Sequence, residues 1–261
     1  MSTPFISRIG GILSADIAVP DHPKELRFYS QVLTTGEKPL WQEDLMNAQG
    51  IPVIGLGERT AEYANLPLQW TPHIQVADVA ASVAKAIELG GTELLHGKDD
   101  EGNSLWAGVQ DPSGAAFGLI PVVAAEHLPP AQDDESPIGC IAWMDLTGPD
   151  ASAMRDFYRE VIGWAVEDVP MADGEESYAD YNMVGGDGAP AGGICHARGA
   201  NADMPPGWMM YLPVGDLDES LRRVAAEGGK VLKDATSPDG SFRFAVIQDP
   251  VGAVFALAPS G

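Results

Sequence analysis

The chain repeats itself, and that repeat limits its fold more than any other feature. Ile9-Gly-Gly-Ile-Leu-Ser-Ala-Asp-Ile-Ala-Val-Pro-Asp21, continuing to Phe28-Tyr29, matches Ile138-Gly-Cys-Ile-Ala-Trp-Met-Asp-Leu-Thr-Gly-Pro-Asp150, continuing to Phe157-Tyr158, at a constant offset of 129. From Gly55 to Leu119 a second match runs at an offset of 138. It carries Trp70, Asp78, Ser82, Gly90-Gly91, Gln110-Asp111-Pro112 and Phe117 onto Trp208, Asp216, Ser220, Gly228-Gly229, Gln248-Asp249-Pro250 and Phe255. The change of offset places extra residues in the second copy around Met171–Ser177, opposite Thr34–Met46 of the first. A period of this length makes each copy a folding unit of ordinary domain size, so the two copies must share one architecture.

Each copy divides again into two units of strand, Asp, helix and short strands. Asp21, Asp78, Asp150 and Asp216 stand where a side chain caps the orphan amides of a helix start, and Gly90 and Gly228 stand where a helix closes in the left-handed conformation. Asp111-Pro112-Ser113-Gly114 and Asp249-Pro250-Val251-Gly252 are turn sequences that feed a last apolar strand. Every unit therefore reads β-α-β-β-β. The expected domains are 1–122 and 137–261, joined by a linker over 123–136 that carries Pro129-Pro130 and Asp133-Asp134-Glu135.

With 38 acidic against 15 basic residues the net charge is −23, and no Lys/Arg cluster occurs. Such a field repels phosphate backbones and anionic bilayers, so nucleic acid and membrane are excluded as expected partners, and the acidity reads as solubility. Cys140 and Cys195 are too few for a disulfide framework and too far apart for a compact zinc motif. Without a basic-then-apolar leader or a membrane-length apolar run, the expectation is a reduced, cytoplasmic protein.

Strand, Asp, helix with Phe-Tyr, then a later Asp-Pro-x-Gly hairpin resembles the vicinal-oxygen-chelate proteins, which include glyoxalase I, the bleomycin-resistance proteins and extradiol dioxygenases. Trp143-Met-Asp-Leu-Thr-Gly-Pro-Asp150 with Phe157-Tyr158 and Gly163-Trp164 resembles the opening of a bacterial two-domain glyoxalase-like subfamily. The resemblance implies an α+β protein of four βαβββ units, paired into two tandem domains, each with a cavity lined by a curled mixed sheet. It also implies a small-molecule ligand or substrate, and leaves a homodimer open.

In metal-dependent members the ligands are His or Gln on the first strand and Glu on the last strand of each unit. Here the first-strand positions hold Ser14, Thr71, Trp143 and Met209. The last-strand positions fall on Gly118, Ala256 and the carboxylate-free segments Val53–Gly57 and Ala191–Cys195. No strong donor stands at any of them, so no metal or other cofactor is expected, and a four-ligand glyoxalase or an extradiol dioxygenase is disfavoured.

Residues two apart on a strand share a face, which places Asp16, His73, Asp145 and Tyr211 toward the same cavities. Two readings follow. Trp143, Met209 and Tyr211, with Asp145 and Phe244, suit an aromatic or hydrophobic metabolite or antibiotic, while Ser14 and Thr71 complete the polar first cavity. Alternatively, Asp16 and His73 form an acid/base pair of a lyase or isomerase, or two ligands of a reduced metal site. Cys195-His196 faces opposite sides of a strand and is not a dyad, although Cys195 can line the second cavity. Tyr178 and Tyr181 read as lid or surface residues, His22, His96 and His127 as loop or cap residues, and Trp70 and Trp208 as packing residues.

Overall fold

In this computed structural model, residues 7–35, 41–42, 45–47, 52–128, 138–236, 240 and 242–260 are described. Residues 129–136 of the expected linker lie outside them; Ala125–His127 form a short 3-10 turn. The first copy runs β1 (Ile12–Val19), α1 (His22–Leu33), β2 (Trp41–Gln42), β3 (Leu45–Asn47), β4 (Pro52–Glu58), β5 (Thr71–Val76), α2 (Val79–Glu88), β6 (Thr92–Lys98), β7 (Ser104–Gln110) and β8 (Ala116–Pro121). The second runs β9 (Trp143–Gly148), α3 (Ala151–Ile162), β10 (Ala165–Asp173), β11 (Glu176–Val184), β12 (Pro190–His196), β13 (Gly207–Val214), α4 (Leu217–Ala226), β14 (Lys230–Thr236), β15 (Arg243–Gln248) and β16 (Val254–Pro259).

Each copy makes one eight-stranded mixed sheet of the same order, β2-β3-β4-β1-β5-β8-β7-β6 and β10-β11-β12-β9-β13-β16-β15-β14. The opening strands of the two units in a copy pair antiparallel at its centre, β1 with β5 and β9 with β13. All four helices start where the sequence places them: Asp21, Asp78, Asp150 and Asp216 accept the amides of Lys24, Ala81, Ala153 and Glu219. Gly90 and Gly228 follow α2 and α4 with φ of 90° and 89°, where a Cβ would be strained. The extra residues of the second copy lengthen the β10–β11 hairpin, which turns at Gly174.

The helices lie between the sheets, and one continuous core draws on both copies. Helix α1 packs on α4 of the other copy, and α2 on α3. The recurrent residues of the repeat meet there. Tyr29 donates its hydroxyl to Asp249 (2.8 Å) and accepts from Trp70 Nε1; Tyr158 donates to Asp111 (3.1 Å) and accepts from Trp208 Nε1. Ser82 donates to the Val161 carbonyl and Ser220 to the Val32 carbonyl, each at 2.8 Å. Both aspartates also accept amides of their own turns, Ser113 and Ala115 for Asp111, Val251 and Ala253 for Asp249. The Tyr–Asp and Ser–carbonyl bonds cross between the copies and form only when these dock, which ties the recurrent residues to the joint.

Among the differences between the two joints, Glu25 stands beside Asp249 in one where the other has Met154. Glu25 is wholly buried, and its oxygens have no hydrogen bond of normal geometry among the described residues. Burial, then the neighbouring Asp249 carboxyl, push its pKa up to about 8.

Candidate functional site

On the concave face of the first sheet, the β1–β5 register sets Ser14 opposite His73 and Asp16 opposite Thr71, so all four expected residues are neighbours. Ser14 Oγ and His73 Nδ1 share a hydrogen bond of 2.9 Å, and His73 Nε2 lies 3.4 Å from Asp16 Oδ2. Asp16, Thr71 and His73 line a cavity of about 590 Å³ whose apolar wall includes Tyr63, Leu66, Leu95 and Trp106. The sequence reading missed that wall. Tyr63 and Leu66 come from the irregular segment before β5, which has no periodicity to read, whereas Trp106 sits on β7, where strand alternation was available as a signal.

On the second sheet, Met209 stands opposite Asp145 and Tyr211 opposite Trp143. Trp143 Nε1 donates to Asp145 Oδ1 at 2.7 Å, and the Tyr211 hydroxyl also serves the Asp145 carboxyl. Burial raises the Asp145 pKa, against the opposing pull of those two hydrogen bonds; the charge that acts on it, Asp180, raises it further. Met204, Met209, Tyr211, Val246 and Ala256 form a buried apolar cluster with Trp143 and Phe244 packed against it. The Tyr211 ring meets Phe244 edge-on at 5.8 Å and Phe242 at 6.4 Å.

Cys195 pairs in register with Thr147, two residues from Asp145, and so lies on this face. Burial, then Asp145 and Asp180, push its thiol well above the usual range, so it is no thiolate nucleophile at neutral pH. His196 turns instead to Asp180 (3.0 Å), which also accepts the His196 amide and the Asn201 side chain. The expected absence of a Cys195/His196 dyad agrees with this arrangement. Tyr181 is buried and bonded to Ser152, while Tyr178 donates to the Arg198 carbonyl. His96 lies on β6, bonded to Glu93 and Ser104, rather than in a loop.

The donor set does not fit the family's metal site. At Gly118, a last-strand ligand position, an added Cβ would lie 2.5 Å from His73 Cδ2: the imidazole fills the space a carboxylate would need. At Gly193, on the closing strand of the second copy's first unit, the Asp145 carboxylate likewise fills the space that a side chain would need. Among the described residues, no three His, Cys, Asp or Glu side chains converge as a metal cluster.

The glyoxalase-like domain model matches twice, over residues 14–120 and 143–258. The chain belongs to the glyoxalase-like domain family. Among its relatives, the Mycobacterium tuberculosis protein named "Putative glyoxylase CFP32" is 29% identical over 192 residues, 74% of this chain and 70% of that one. The "Anthracycline biosynthesis protein DnrV" of Streptomyces peucetius is 32% identical over 137 residues, 47% of this chain and 48% of its own. A Mn(II)-bound glyoxalase from Novosphingobium aromaticivorans shares the fold at a TM-score of 0.57 and 18% identity, covering 98% of this chain and 83% of that one. A catechol 2,3-dioxygenase does so at 0.56 and 11%, covering 97% and 95%. No helix among the described residues is long and apolar enough to cross a membrane.

Proposed function

We propose that this protein binds an aromatic or hydrophobic small molecule on the concave face of the second sheet, without a divalent metal. The observation that carries this reading is the grouping of Trp143, Met209, Tyr211 and Phe244 around one partly buried carboxyl group, Asp145. Flat polarizable walls with few polar groups are the usual make-up of small-molecule sites. A relative named for anthracycline biosynthesis is consistent with a polycyclic ligand. The test is titration of the full chain with a neutral hydroxyanthraquinone, followed by tryptophan fluorescence. Tyr211→Ala and Trp143→Ala are expected to weaken binding about tenfold or more, the scale of a lost aromatic contact. Undiminished affinity in both variants, or loss only in first-cavity variants, overturns the assignment, and a stoichiometric transition metal on elemental analysis overturns its metal-free character.

A second reading is favoured by the Ser14–His73–Asp16 chain: a lyase or isomerase in the first cavity. With Nε2–H directed at the Asp16 carboxylate, the Nδ1 lone pair of His73 accepts from the Ser14 hydroxyl; Ser14 can then take a proton from a bound substrate while passing its own to Nδ1, and Asp16 stabilises the imidazolium that results. His73→Ala is then expected to abolish turnover while leaving ligand affinity largely intact; unchanged turnover sinks this reading.

A further inference from the structure

We infer that the ligand of the second sheet's concave face carries an alkylammonium or quaternary ammonium group, and that this cation pairs with Asp145 among the surrounding aromatic side chains. The inference rests on the proposed binding role of that face and names the ligand's chemical class.

Asp145 lacks a cationic partner among the described residues. Its two donors, the indole N–H of Trp143 and the hydroxyl of Tyr211, are both neutral, and the charge that bears on it is the repulsive one of Asp180. No Lys, Arg or His among the described residues forms an ion pair with Asp145, whereas Asp180 pairs with His196 and Asp16 with His73. Lys233 shares the cavity face through its register with Val246, but its ammonium is held by the Ala200 carbonyl and Met204. Cys195, beside Asp145, stays a neutral thiol.

A carboxylate taken from water without a cation is costly, and a ligand that brings the missing charge offsets that cost. A neutral ligand does not. The walls match as well, because Trp, Tyr and Phe rings attract cations while excluding water, and quaternary ammonium groups are recognised in this way. Phe244 and Trp143 remain half-buried and Phe242 is 42% exposed, so the aromatic group extends to the surface and gives access from solvent. The net charge of −23 raises the local concentration of cations around the whole molecule. The first cavity lacks this combination, since the Asp16 side chain is 56% exposed and already faces His73.

The test compares benzyltrimethylammonium with its uncharged carbon isostere, neopentylbenzene, by tryptophan fluorescence on the full chain. The ammonium is expected to bind at least tenfold tighter than the isostere. Asp145→Asn, close to isosteric, should remove that preference, with far-UV circular dichroism and a thermal unfolding curve reporting that the variant is folded. Preference for the cation should weaken as pH falls and Asp145 takes up a proton. Equal affinities for the two probes, or a preference that survives in Asp145→Asn, overturn the cation assignment. If the hydroxyanthraquinone nonetheless binds through Tyr211 and Trp143, the broader reading stands alone; if it does not bind, that reading falls too.

Discussion

At the first concave face, positions 14, 16, 71 and 73 hold Ser, Asp, Thr and His, gathered around one imidazole that bonds Ser14 and faces Asp16; at the second, positions 143, 145, 209 and 211 hold Trp, Asp, Met and Tyr, gathered around one carboxyl. The strand registers that present them are equivalent. The joints behind the sheets behave in the opposite way, for Tyr29, Trp70, Ser82 and Asp111 recur in kind as Tyr158, Trp208, Ser220 and Asp249. A joint residue must satisfy a buried partner on the other copy, so a change on one side strands a polar group on the other. A cavity residue answers mainly to its ligand. Duplication therefore leaves the concave faces free to diverge while the joints hold the sequence in place.

The most damaging way to probe this contrast is to strike the joints. Asp111→Ala removes the acceptor of the Tyr158 hydroxyl and of two turn amides in a buried place, and is expected to cost about 3–5 kcal/mol in urea unfolding at pH 7. Asp249→Ala breaks the equivalent bonds but also removes the carboxyl that crowds Glu25, so its cost should be smaller. Equal costs would show that the Glu25 side of the joint carries no strain.

The next effect follows from Glu25 itself. Its pKa is raised in the folded protein to about 8, from 4.5, so the unfolded chain releases that proton first. Stability associated with this group is full below about pH 4.5 and declines as pH rises towards 8. Glu25→Met, which copies Met154 of the other joint, should therefore gain about 4 kcal/mol on the parent between pH 4 and pH 8, the pH-dependent part of the difference vanishing near pH 4. Unfolding curves of both proteins across this range check it; parallel curves would show that Glu25 finds a compensating partner.

Much of the scaffold was legible in the sequence because local chemistry fixes it. Asp21, Asp78, Asp150 and Asp216 cap helices in the sequence's own terms, and a repeat offset identifies equivalent positions without any structure. Strand alternation likewise brought the eight cavity positions to the two concave faces. What it could not supply was contact across the copies. Tyr29 and Asp249 lie 220 residues apart, and no periodicity reports that one bonds the other. Nor could a glycine at position 118 announce that an imidazole lies over it, because the reason for the missing Cβ is a side chain on another strand.

That glycine offers a smaller and more pointed test. Gly118→Ala places a methyl group against His73, and overpacking of this kind costs about 1–3 kcal/mol. If the imidazole is the cause, His73→Ala should restore most of the loss in the double variant, a coupling that additive effects cannot mimic. Additive costs would move the clash elsewhere and weaken the argument that His73 displaced the carboxylate of the family's metal site.

The smallest effect should come from Ser14, whose hydroxyl holds His73 Nδ1 at 2.9 Å. Ser14→Ala removes one hydrogen bond worth about 1 kcal/mol and leaves the ring in place over Gly118. Fold and thermal stability should change little, but the imidazole loses the hydroxyl that donates to Nδ1. Nitrogen-15 shifts of the ring report this directly. In the parent, Nε2–H directed at Asp16 and Nδ1 accepting from Ser14 should make one tautomer dominant; in the variant the other should gain population, because Nδ1 has lost its donor. The same substitution has no counterpart in the second copy, where Trp143 occupies the position and bonds a carboxyl instead of an imidazole. An unchanged tautomer ratio would mean that Asp16 alone sets the proton on His73, and would reduce the first cavity's three-residue chain to a pair.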